Sequence, residues 1–200
     1  MTLQILLALL GFAFVSSITP GPNNMMLMAS GANFGFRRTV PHLLGVGLGH
    51  SFMIVILGAG LMQLFVAAPV VMTVMKWASI GYLVYLAWKI ANSGSKKADA
   101  PETEGKPLTF FQAAAFQWVN PKGWMMALTA LSAYTVDQSM AQVLLVALIF
   151  MATNLPSITF WVVLGQQARR WLNTAGRLQW FNWTMAALLL LSVAPVVMGH

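Results

Sequence analysis

Apolar residues run from Leu3 to Ile18, stop at Thr19-Pro20-Gly21-Pro22-Asn23-Asn24, and resume from Met25 to Ala32. The hexapeptide lies inside one hydrophobic segment, not between two. A helix cannot cross it unbroken. Pro20 and Pro22 each lack a backbone N–H and clash with the preceding turn, and Gly21 is free to adopt conformations other residues avoid. The break leaves backbone groups without helical partners. In hydrocarbon each unpaired group costs several kcal/mol, so such a break survives at membrane depth only when packed in protein or facing water. It is a candidate ligand site, the plainer reading being a proline kink repaired by its neighbours.

Crossing about 30 Å of hydrocarbon takes about 20 apolar residues, and the remaining pattern predicts five more spans on that scale. They run from about His42 to Val66, Val70 to Ile90, Phe110 to Ala133, Ser139 to Leu164 and Leu178 to Met198, with Pro69 in the turn before the third. The fourth is interrupted in its turn, at Asn120-Pro121-Lys122-Gly123-Trp124-Met125-Met126. The expected fold is all-α and integral to the membrane, one transmembrane domain over residues 1–200. It reads as two three-helix repeats, about 1–91 and 108–200, joined by a polar linker at 92–107. An odd number of spans per half makes the repeats inverted, and interrupted segments in corresponding places mark the midplane site of such transporters. Within the second span, Gly45 with Gly49 forms one small face and Gly47 with Ser51 another, so that helix is expected to be wedged between neighbours. Asn154, Pro156 and Ser157 put a further polar, proline-bearing stretch into the fifth.

Composition agrees. Hydrophobic residues make up 58% and charged residues 8%, against about 25% charged in soluble domains. The net charge of +7 is spread over short loops with no aromatic-basic stripe, which favours anionic lipid headgroups over nucleic acid. Arg37 and Arg38, the lysines around the linker (Lys89, Lys96, Lys97 and Lys106), and Arg169, Arg170 and Arg177 all fall on one side; the loops at Ala67-Ala68-Pro69 and Tyr134–Gln138 carry no basic residue. The positive-inside rule then places both termini in the periplasm. Trp171, Trp180 and Trp183 fit a cytoplasmic aromatic belt. Met1-Thr2-Leu3-Gln4 lacks the positive start of a signal peptide, so the first segment is expected to be retained. The absence of cysteine removes disulfides and thiolate metal sites.

Lys122 lies about 18 Å along the fourth span from Phe110, too deep to snorkel easily to either surface, and charges at such depth are costly and usually functional. The alternative is that it only pairs with carbonyls freed by Pro121. Lys76, about 9 Å into the third span, is a weaker candidate. His50, among the small residues of the second span, is a candidate for proton coupling. Asp99, Glu102, Glu104 and Asp137 all lie outside the spans, so no carboxylate relay is expected. No nucleophile-base set, metal-ligand spacing or cofactor-binding loop is present, which argues against an enzyme. The parts that remain suit a zwitterion. Helix amino termini and Lys122 would receive a carboxylate, while freed carbonyls and the amides of Asn23, Asn24 and Asn120 would hold an ammonium.

Pro20-Gly21-Pro22-Asn23, Gly35-Phe36-Arg37 with the Gly45 and Gly49 spacing, Lys76-Trp77 leading into Gly81-Tyr82-Leu83, and Asn120-Pro121-Lys122 resemble signatures of the lysine exporter (LysE/RhtB) family of bacterial amino-acid efflux proteins. Thr19–Asn24 and Trp88-Lys89-Ile90-Ala91 are most similar to its cysteine and O-acetylserine exporter branch. The resemblance implies proton-driven export of an amino acid across the bacterial inner membrane. With no membrane carboxylate, coupling would use His50, a lysine or the substrate's own ammonium proton. The partners implied are an amino-acid substrate, membrane lipids and a proton; a homo-oligomer is compatible with the sequence. Two rivals stay open, a non-transporting membrane scaffold and a channel for small polar solutes.

Overall fold

The computed structural model describes residues 1–61, 69–93, 106–135, 139–192 and 194. Several expectations lie outside these residues: the end of the second span at Val66, the turn residues Ala67-Ala68, most of the linker with Asp99, Glu102 and Glu104, the loop residue Asp137, and the end of the last span at Met198.

Among the described residues the chain is helical with no strand. α1 (Leu3–Ile18) starts on Thr2, whose hydroxyl accepts from the Ile5 N–H. α2 (Pro22–Phe34) follows the break. At its end Gly35 takes φ 77°, a left-handed value that favours glycine, and the chain turns directly into α3 (Phe36–Ile56). The second span therefore begins at Phe36 and not at His42. α3 runs on into a π-helical turn, Leu57–Leu61, in which Gly60 takes φ 113°. α4 is Pro69–Ala91. α5 (Phe110–Phe116) opens with a capping box between Thr109 and Gln112 and tightens into a 3₁₀ turn at Gln117–Val119. Asn120 then breaks the helix, and α6 (Pro121–Tyr134) begins. α7 (Met140–Ala168) continues past Leu164, and α8 (Ala175–Leu191) starts on the Thr174 cap.

Among the described residues two helices are long and apolar enough to cross a membrane alone, Phe36–Leu61 and Met140–Ala168, with mean hydropathies of 1.8 and 2.0. α1 and α2, bent by 52° at their break, would together form a third. The second break divides its segment into pieces of 7 and 14 residues, so neither passes by itself.

α7 is the central post, packing against α1, α2 and α3. Glycines set its distance from α2: Gly31 lies against the backbone of Val162, and Gly165 against the backbone of Met28, with no room for a Cβ at either. α3 is wedged as its glycine spacing predicts. Gly45 and Gly49 receive Phe110, Ala113 and Ala114 of α5, while Gly47 receives Leu155 of α7.

Two large apolar cores result, beside a smaller cluster of Met25, Ala29 and Met185. Leu27, Val46, Phe116, Ile158 and Val162 belong to one; Leu9, Ala13, Met53, Trp124 and Phe150 belong to the other. The α1–α2 and α5–α6 segments, α3 and α7 each pass from one core to the other, and their change-over residues are polar and buried: Ser17 and Asn24 around the first break, His50 in α3, Asn120 at the second break and Asn154 in α7. The fold thus places a polar layer between two apolar ones, with both breaks in it.

Candidate functional site

The first break has a complete account of its carbonyls. Val15 O accepts from the Thr19 N–H at 3.1 Å, and Ser16 O from the Thr19 hydroxyl at 3.0 Å. Ser17 O and Thr19 O accept from the Asn24 amide at 2.9 and 2.7 Å. Ile18 O accepts from the Trp161 indole at 3.0 Å. The Lys122 ammonium donates to Thr19 O at 2.6 Å, Thr19 Oγ1 at 2.9 Å and Pro20 O at 3.3 Å, using all three of its donors. Side chains from α2, α6 and α7 have replaced the missing helical turn.

The second break is closed by nearer residues. Gln117 donates through its side chain to Ala113 O at 2.8 Å and through its backbone to Ala114 O and Ala115 O. Asn120 N–H reaches Gln117 O at 3.3 Å, and the Trp124 indole reaches Trp118 O at 2.9 Å. The two breaks are alike in their exits. Pro22 and Pro121 are the first residues of α2 and α6, behind extended Gly21 and Asn120 that make no side-chain cap bond. Proline suits that position because its absent N–H would be unpaired anyway.

The breaks meet. Asn23 and Gln117 exchange amide hydrogen bonds of 2.9 and 3.2 Å, and the Lys122 stem lies on Gly21, where a Cβ would come 2.6 Å from Lys122 Cδ. His50 Nε2 lies 3.2 Å from Gly123 O. Between them is a cavity of about 20 Å³, lined by Ser17, Asn24, His50, Asn120, Lys122 and Asn154 among others. It has room for one or two waters and no more. Asn120 Oδ1, His50 Nδ1 and Ser17 Oγ are buried around it without a hydrogen-bond partner. An arrangement with unpaired acceptors, a cation and oriented carbonyls can hold a small zwitterion once widened.

Of the residues singled out from sequence, the cavity gathers Gly21, Asn23, Asn24, His50, Asn120 and Lys122. Pro20 contributes its carbonyl, and Pro22 and Pro121 start the two helices. Lys76, half-buried on α4, does not line it. Lys122 turns out to hold carbonyls freed at the other break rather than at Pro121. Sequence reasoning missed Ser17, Gln117 and Trp161. For Gln117 the signal was a lone amide in an apolar run, three residues before Asn120.

The chain matches the family model described as LysE type translocator over residues 14–198. It is similar to the cysteine/O-acetylserine efflux protein of Escherichia coli O1:K1 / APEC, with 35% identity over 141 residues, 70% of this chain and 71% of that protein. The proteins of the same description from Escherichia coli strain K12 and Shigella sonnei strain Ss046 are 33% identical over the same shares. No solved structure matches the chain.

Proposed function

The chain belongs to the LysE type translocator family, and from that premise we propose that it is a secondary transporter exporting an amino acid or a close derivative across the bacterial inner membrane. The relatives named as cysteine/O-acetylserine efflux proteins point to small, polar amino acids as the first substrates to try. The observation that carries the reading is the Lys122 ammonium, seated on Thr19 O, Thr19 Oγ1 and Pro20 O across the polar layer. A zwitterion can insert into that contact with its charges matched. Its carboxylate takes Lys122, and its ammonium takes the carbonyls Lys122 gives up. Neither charged partner is then left without a hydrogen bond, and a bond to a charged group is worth about 1.5–3 kcal/mol. Asn120 Oδ1 and the amides of Asn23 and Asn24 offer further contacts, while Lys76 stands apart from this site. Because the cavity is only about 20 Å³, loading requires the helices at the breaks to separate. That supports a carrier over an open channel.

The same reading takes the fold as six spans in two inverted repeats. It is supported by the matched prolines Pro22 and Pro121, and by reciprocal packing of α1 on α7 and of α5 on α3. With the basic loops in the cytoplasm, both termini are periplasmic. Export is proton-coupled in this proposal, through His50 or the ammonium proton of the substrate. The test is purified protein in proteoliposomes, assayed with a panel of amino acids. Saturable export that accumulates solute against its gradient supports the proposal; linear flux that only equilibrates supports a channel, and no flux across the panel a scaffold.

A further inference from the structure

A second cavity lies where α2 gives way to α3 and α4 ends. Its volume is about 250 Å³, room for a ligand of several heavy atoms where the central cavity holds a water or two. The wall includes Ser30, Asn33, His42, Trp88, Lys89 and Lys106. Ser30 and Thr39 share a hydrogen bond of 2.9 Å, and Asn33 and Asn182 exchange amide bonds of 2.7 and 3.2 Å. His42 is different. It is 2% exposed, and neither ring nitrogen has a hydrogen-bond partner. Buried polar groups in native proteins nearly always have one, and both nitrogens are closed off from the cavity, so the ring must turn to meet a polar occupant there. Lys89 and Lys106 set the sign of that occupant.

We propose that this cavity is a second binding site for the amino-acid substrate, an intake site in which Lys89 and Lys106 receive the carboxylate and His42 hydrogen-bonds the ligand from the buried wall. The proposal rests on the export reading above and adds a station to it. Asn24 lines the central cavity and Asn33 this one, and nine residues of α2 separate them by about 14 Å. One helix therefore carries both sites, and a solute loaded at the basic end has a short path to the breaks.

The native chain has no cysteine, so Ser93→Cys, on the wall of this cavity, reports on it alone. In phosphatidylcholine nanodiscs, O-acetyl-L-serine should slow its reaction with 2-sulfonatoethyl methanethiosulfonate tenfold or more. Ethanolamine, which lacks the carboxylate, should not. Lys89→Gln with Lys106→Gln should abolish the protection, and Lys89→Gln alone should weaken it severalfold if the double variant does not fold. Lys122→Met should leave it intact, because that residue belongs to the other cavity. If phosphatidylglycerol protects Ser93→Cys without amino acid, the site is one for lipid headgroups and the proposal is overturned. Export without protection, at concentrations that saturate export, overturns the proposal alone. Protection in a protein that exports no amino acid sustains the site and overturns the export reading; absence of both overturns both.

Discussion

At the first break, carbonyls from Val15 to Pro20 are held by donors from Thr19, Asn24, Lys122 and Trp161; Lys122 and Trp161 lie 103 and 143 residues from their partners at Thr19 and Ile18. At the second, Gln117, Asn120 and Trp124 do the corresponding work from within a few residues. One break draws part of its closure from distant helices, whereas the other is closed by its own neighbourhood. Lys122 sits on the self-contained break and reaches to the dependent one. On the proposed reading, the second break is a fixed platform and the first is the element whose contacts change when a solute enters.

Removing that link should have the largest effect. Lys122→Met keeps much of the stem and loses the charge, and a hydrogen bond to a charged group is worth about 1.5–3 kcal/mol. Export from proteoliposomes is expected to fall by about ten- to more than a hundredfold, with membrane insertion unchanged. Lys122→Arg should fail as well, since a planar fork does not reproduce the compact ammonium on Thr19 and Pro20. Near-normal half-saturation and maximal rate in the methionine variant would return Lys122 to a structural role.

Glycines at the two breaks give a sharper contrast. Gly21→Ala would drive a Cβ to 2.6 Å from Lys122 Cδ, while at Gly123 the nearest atoms to a new Cβ lie at 3.4 Å or beyond. Overpacking of the first kind costs about 1–3 kcal/mol. Gly21→Ala should therefore lower export about tenfold, and Gly123→Ala should stay within about twofold. Equal effects would mean that the stem of Lys122 is free to move aside and that its seat on Gly21 is incidental.

Much of this site was legible because its signals are local. A proline lacks its donor wherever it stands, so Pro20, Pro22 and Pro121 announced both breaks; a lysine in an apolar run announced Lys122. What Lys122 touches was not legible, because its partners lie across the fold. Ser17, Gln117 and Trp161 escaped for the same reason. Gln117 meets Asn23 across 94 residues, and nothing in its own segment encodes that meeting. Boundaries failed where one backbone angle decided them: Gly35 at φ 77° lets α3 begin at Phe36, earlier than hydropathy suggested. The glycine spacing of α3 was readable because small faces on a helix follow from its period alone.

Smaller effects should separate the breaks by what they change. Asn24→Ala leaves Ser17 O without its donor, at a cost of about 1–3 kcal/mol, and should lower both thermal stability in detergent and export. Trp124→Phe, which removes the donor to Trp118 O within the self-contained break, should cost about 0.5–1.5 kcal/mol in stability and leave half-saturation unchanged. If Trp124→Phe shifts half-saturation as much as Asn24→Ala does, the second break is not a passive platform.

The most direct measurement uses single cysteines at Asn23 and Asn120, one from each break, in protein shown to be folded and exporting. Both should react with small polar thiol reagents when the carrier opens, and both should be protected by substrate with the same half-protecting concentration, because one cavity serves both breaks. Inertness at both positions, or protection at one without the other, would contradict a shared substrate cavity and leave two separate structural kinks.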